Sequence, residues 1–188
     1  MVKEEESYFT PREWAIIISL ALISVLINTY LPVKSFAEYF GIPGPAAGMA
    51  LFGGFIFVLW VSLARLTVKK KCSGVVTSIL IAIISLFIQP WYGIMSPPWF
   101  SIYGILGLGS MGGTIEFLSN SYRRNLVAGG LGNLCCLIIT WLAIGFHTHV
   151  WVPWRFMPLL ILAGITSGCI GALMAQGISK ALVKGKPI

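Results

Sequence analysis

Six apolar runs, at about 13–31, 46–66, 74–90, 101–119, 126–146 and 156–179, constrain this chain more than any other feature. Each is almost free of charge and close to the roughly 20 residues that an α-helix needs to cross about 30 Å of hydrocarbon. Backbone in lipid must satisfy its own hydrogen bonds, so only helices and closed barrels span a membrane. Barrel strands would show alternating segments of about 10 residues, whereas these runs are continuously apolar. The composition agrees, with 57% of residues hydrophobic and 10% charged; a soluble domain is roughly a quarter charged. The expectation is an all-α polytopic membrane protein, a single domain over residues 1–188 folded as a six-transmembrane-helix bundle. Lys3 is followed by Glu4, Glu5 and Glu6, and no small-residue cleavage site follows the first run, so the N-terminus does not read as a secretory signal.

The basic residues set the direction of the spans. With six spans, Lys3, Arg12, Arg65, Lys69, Lys70, Lys71, Arg123, Arg124, Lys180, Lys184 and Lys186 fall on one side, and only Lys34 and Arg155 on the other. The positive-inside rule then places both termini in the cytoplasm of a multi-pass protein of the cell membrane. The net charge of +7 reads as orientation and contact with anionic lipid heads rather than as a nucleic-acid surface.

The outer connectors are aromatic. The first, about 32–45, holds Phe36, Tyr39, Phe40 and a Pro-Gly-Pro turn at 43–45. The second, about 91–100, holds Trp91, Tyr92 and Trp99, and the third, about 147–155, holds His147, His149, Trp151 and Trp154. Trp and Tyr favour the headgroup level, so an interfacial belt accounts for them. Their concentration on one side, in loops stiffened by proline, also fits a preformed pocket.

Within the spans, small residues recur four apart at Ala50 and Gly54, at Gly109 and Gly113, and at Gly164 and Gly168, the last stripe continuing through Gly171 and Ala175. Ala15 and Ser19 form a weaker pair in the first span. Such spacing lets helices approach closely, either within the bundle or on a face that docks another membrane subunit. Glu116 is the acidic residue set inside a span away from its start, a costly position that calls for a partner; Arg123, Arg124 or a cationic ligand are the candidates. Asn28, Gln89 and Asn133 offer amides that suit either interhelical bonds or a neutral heterocycle. The four cysteines, Cys72, Cys135, Cys136 and Cys169, lack C-x-x-C spacing and read as small packing residues. His147 and His149 lack a clear third ligand, so no metal site is expected. No Walker A, H-E-x-x-H or G-x-S-x-G motif occurs, so neither an enzyme nor a cofactor is expected.

Three stretches carry a family resemblance. Gly44-Pro45-Ala46 opens the second run, which continues through Trp60 to Arg65 and a basic turn. The fourth run ends in Gly112-Gly113-Thr114-Ile115-Glu116-Phe117, and the sixth contains Ser167-Gly168-Cys169-Ile170-Gly171-Ala172-Leu173. With the topology, they make the chain resemble the substrate-binding S component of an energy-coupling factor (ECF) vitamin transporter, in the thiamine/hydroxymethylpyrimidine branch. The resemblance implies capture of a vitamin or precursor at the outer face. It also implies partnership with a transmembrane coupling subunit and two ATPase subunits, and toppling of the subunit in the membrane. The implied pocket maps onto Trp91, Tyr92, Trp99, Tyr103, His147, Trp151 and Trp154, with Glu116 if the pocket reaches that deep. Partner docking maps onto Ala15 and Ser19, with Gly164 and Gly168 as the alternative small-residue face. A membrane interaction or assembly protein without a small ligand, or a permease or channel acting alone, is the other reading.

Overall fold

The computed structural model describes residues 8–30, 44–88, 99–119 and 121–184. Those residues form six helices and no strand. Helix α1 is Pro11–Tyr30. Helix α2 joins α-helical Gly44–Gly53 and Leu59–Val68 through a π-helical turn, Gly54–Val58. Helices α3, α4 and α5 are Ser73–Ile88, Phe100–Leu118 and Tyr122–Thr148; a 3₁₀ turn, Trp154–Phe156, leads into α6, Met157–Lys184. Among the described residues, four segments are long and apolar enough to cross a membrane: Pro11–Tyr30, Gly48–Val68, Tyr122–Thr148 and Trp154–Leu182. Ser73–Ile88 is a shorter apolar helix, and α4 is diluted by its glycines. The described parts of the six expected runs thus fall on helices, and α5 and α6 extend past the expected ends.

The start of α1 is written in the local sequence. Thr10 caps the helix and Pro11 supplies the fixed φ of the first turn. The Thr10 N–H donates to Glu13 Oε2 at 2.7 Å, and the Glu13 N–H donates back to Thr10 Oγ1 at 3.4 Å, a capping box. Phe9 packs edge-on against Trp14 at 5.4 Å, the hydrophobic staple that accompanies such a box. Glu13 also pairs with Lys70 at 2.8 Å, and Lys70 Nζ donates to the Tyr8 carbonyl at 2.8 Å. These bonds tie the start of α1 to the turn between α2 and α3.

Helix α2 lies at the centre. It packs against α1, α3, α5 and α6, while α3, α4, α5 and α6 pack in sequence around it. Its Ile56, Val58, Leu59, Val61 and Ala64 are fully buried. The core is apolar but threaded with polar side chains, and the outer surface is largely aliphatic and aromatic. Buried positions include Ser24, Asn28, Ser62, Thr77, Ser78, Ser85, Asn133 and Ser167, while Leu22, Leu26, Phe87, Ile102, Leu106, Phe117, Leu159 and Leu162 face outward. Lipid tails are as apolar as Leu, so helices in a membrane associate through close packing and lateral hydrogen bonds, with aliphatic side chains turned out. These are the features of a helical membrane protein.

Glycine placement sorts the small-residue motifs. A Cβ on Gly171 would collide with the Gly54 backbone, and one on Gly168 with the Gly129 carbonyl. Gly164 closes on the Leu137 side chain. The Gly164 and Gly168 stripe, a candidate docking face by spacing, therefore packs within the bundle against α2 and α5. Gly109 and Gly113 do the reverse: a Cβ at either meets nothing within 4 Å, and Gly107 and Gly112 make the close contacts of α4 with Cys136 and Ser78.

The π turn is held from both sides. Ser24 Oγ of α1 donates to the Ile56 carbonyl at 2.6 Å. Ser167 Oγ of α6 donates to the Leu51 carbonyl at 2.7 Å and accepts from the Gly54 N–H at 3.0 Å. A π turn shifts the helical ladder by one residue, and these serines bond backbone groups at the shift. Cys136 is buried and Cys135 and Cys169 are half-buried, but Cys72 is exposed. It sits at φ 65° in the α2–α3 turn, so it is not the packing residue expected.

Candidate functional site

The outer aromatics separate into two groups. Trp99 caps α4, Tyr103 follows one turn later, and His147 lies at the end of antiparallel α5. The Trp99 and His147 rings stack with centroids 4.1 Å apart and planes 12° apart. Tyr103 meets both rings edge-on, at 6.3 Å and 5.3 Å, and its hydroxyl lies 3.0 Å from His147 Nε2. One imidazole nitrogen thus shares a proton with a phenol while its face is covered by an indole. His147 is exposed, whereas Trp99 and Tyr103 are half-buried.

The second group forms where the chain turns back after α5. His149, at φ 56°, ends the helix in the left-handed region. Trp151 then folds over Gly145, where any Cβ would enter its ring. It meets Trp141 edge-on at 5.3 Å and Phe146 at 5.4 Å. The Trp141 Nε1 donor is buried without a partner. Trp154, at 78% exposed, joins neither group. Trp91, Tyr92 and Gln89 lie outside the described residues, as do Phe36, Tyr39 and Phe40.

Glu116 does not belong to this end of the molecule. It lies 13 residues beyond Tyr103, about 20 Å along a helix at 1.5 Å per residue. Its Oε1 is 2.9 Å from Arg65 Nε. That N–H does not point along the line between them, so the contact is an ion pair rather than a linear hydrogen bond. Its Oε2 accepts the Gly74 N–H at 2.9 Å. Gly74 lies in the first turn of α3, where N–H groups lack intrahelical partners and the helix dipole favours an anion. The carboxylate therefore joins α2, α3 and α4. The expected partners, Arg123 and Arg124, are exposed on α5; Arg65 and the Gly74 N–H pair with Glu116 in their place.

Asn133 Nδ2 donates to the Gly164 carbonyl at 2.8 Å, an α5–α6 bond, while its Oδ1 is buried without a partner; Asn28 is fully buried. Ala15 and Ser19 are exposed on α1, on one face with Ile18, Leu22 and Leu26.

Sequence reading missed Arg65 as the partner of Glu116. The available signal was that a cation at the end of one apolar run and a carboxylate near the end of another must each find a counterion. It also missed Trp141 and Phe146, which look like ordinary span residues until Trp151 folds back onto them. Comparison with family models, curated proteins and solved structures yields no match for the chain.

Proposed function

We propose that this chain is the substrate-capture subunit of an ECF-type importer, crossing the membrane six times with both termini in the cytoplasm. It takes a vitamin or precursor, thiamine or a related pyrimidine, at its outer face. The carrying observation is the stack of His147 on Trp99 beside Tyr103. A flat heteroaromatic ring already rests on the indole face, and a ligand ring of that kind would be held by the same stacking. A cationic ring would gain further from the indole π face in a site shielded from water. The exposed imidazole can turn aside, and the Tyr103 hydroxyl it releases can bond a ring nitrogen. Trp151 and Trp141 flank this end. The exposed small-residue face of Ala15 and Ser19 supports docking of a coupling subunit, which would act with two ATPase subunits.

Trp99→Ala is expected to weaken thiamine or pyrimidine binding to the purified protein about tenfold, corresponding to roughly 1.4 kcal/mol. His147→Ala, which uncovers the indole face, should weaken it less. Calorimetric titration measures both, and a Trp99→Ala variant that is folded and binds like wild type would remove the aromatic site from this reading.

Orientation has its own test. Cys72 is the exposed cysteine among the four and lies on the side assigned to the cytoplasm. A membrane-impermeant maleimide should label it in inside-out vesicles and leave it unlabelled in intact cells. Labelling in intact cells would reverse the topology.

A further inference from the structure

Helix α2 changes neighbours at its π turn. Among the described residues, its first arm, Gly44–Gly53, packs chiefly against α6 and α5, whereas the second, Leu59–Val68, packs chiefly against α6, α1 and α3. The second arm is held firmly: Val61 and Ala64 are fully buried, and Arg65 is paired with Glu116 of α4. The first arm is less enclosed, and its Leu51 is 44% exposed.

Three causes of helix bending coincide at the junction: a glycine pair, a π turn and a side chain inserted at the backbone ladder. Gly53 and Gly54 are the pair, and Gly54 opens the π turn. Ser167 of α6 is the insertion. The Gly54 N–H donates to its Oγ at 3.0 Å, and that Oγ donates on to the Leu51 carbonyl at 2.7 Å. One hydroxyl thus bridges two groups of the α2 backbone, one in each segment. The pivot itself is pinned, by Ser24 Oγ on the Ile56 carbonyl and by the backbone of Gly171 against Gly54.

The observed position of the first arm carries a cost. Asn133 Oδ1 is buried without a partner, and it lies against Gly53, where an added Cβ would run into it. An unbonded buried amide oxygen bears its desolvation penalty; movement of Gly53 away from α5 admits water to it. Met49, which covers the same glycine, is unbranched and repacks readily. The two Ser167 bonds act in the opposite sense and keep the arm in place.

We propose that the π turn is a hinge, on which Gly44–Gly53 swings away from α5 while Leu59–Val68 stays fixed, with Ser167 as the catch. Hinges are a few residues that absorb a large backbone change between rigid arms. Opening exposes Met49 and Asn133 to water. The motion needs no ligand, so its test is separate from that of capture at Trp99.

The test uses the full chain in detergent, shown to be folded, and a water-soluble thiol reagent with site-resolved mass spectrometry. Met49→Cys reports on the first arm, and Val61→Cys on the second; both positions are buried. Met49→Cys should react about tenfold faster or more, as for a local opening that costs less than unfolding. Ser167→Ala should speed that reaction about fivefold, the scale of one lost net hydrogen bond, and leave Val61→Cys unchanged. Equal reaction at the two positions, an unreactive Met49→Cys, or a Ser167→Ala effect that is absent or shared by Val61→Cys overturns the hinge. Should Ser167→Ala fail to fold, the comparison of the two positions with Ser167 in place decides alone.

Discussion

Glu116→Ala lowers the stability of the folded chain by about 3 kcal/mol, the lower end of the range for breaking a buried ion pair. The Arg65 and Glu116 side chains are 18% and 9% exposed, so water moderates the penalty without removing it. The substitution leaves the guanidinium of α2 without its carboxylate and the Gly74 N–H of α3 without its acceptor. Arg65→Ala/Glu116→Ala should be less harmful than the sum of the single changes, because the double variant leaves neither charge unpaired. The coupling expected between contacting residues is about 0.5–3 kcal/mol. Equilibrium unfolding in mixed micelles, read by tryptophan fluorescence, gives all three values. A loss below about 1 kcal/mol for Glu116→Ala would put the ion pair among surface contacts of little weight.

Gly171→Leu should be at least as damaging. The new Cβ would run into the backbone of Gly54, which cannot turn aside as a side chain would, and Gly54 opens the π turn fastened by Ser24 and Ser167. Overpacking of a tight contact typically costs about 1–3 kcal/mol; with backbone on the receiving side, the expected cost lies at or above the upper end. Gly113→Ala is the matched control. Its Cβ meets no atom within 4 Å, and replacing a helical Gly by Ala is worth up to roughly 1 kcal/mol in favour of the helix. The same unfolding measurement compares them. Equal losses at Gly171 and Gly113 would mean that the close approach of α2 and α6 has no special weight.

Composition was sufficient for the helices, because long apolar runs between polar connectors have few ways to fold in lipid. The start of α1 at Pro11 carries a local signal in Thr10, Pro11 and Glu13, which a reading from hydropathy alone, starting the run at about 13, passed over. Contacts set by rotation about the helix axis were not legible. Gly109 and Gly113 share the spacing of Gly164 and Gly168, yet the first pair faces outward and the second faces in. In an all-apolar segment no polar stripe marks the buried side. The π turn was equally hidden: the groups that secure it come from α1 and α6, far away in sequence. At the outer end, the aromatic residue types were visible in the sequence, but their division was not. Trp99, Tyr103 and His147 meet because α4 and α5 run antiparallel, while Trp151 turns back to Trp141 and Phe146.

Whether the outer aromatic end captures a ligand is the central question, and direct binding addresses it. Purified full-length protein, shown to be folded, is titrated by calorimetry with thiamine, its pyrimidine precursor and a panel of other vitamins. Saturable binding of thiamine or a related pyrimidine, near one ligand per chain and weakened by Trp99→Ala, is the predicted result. A folded protein that binds no member of the panel would contradict the account.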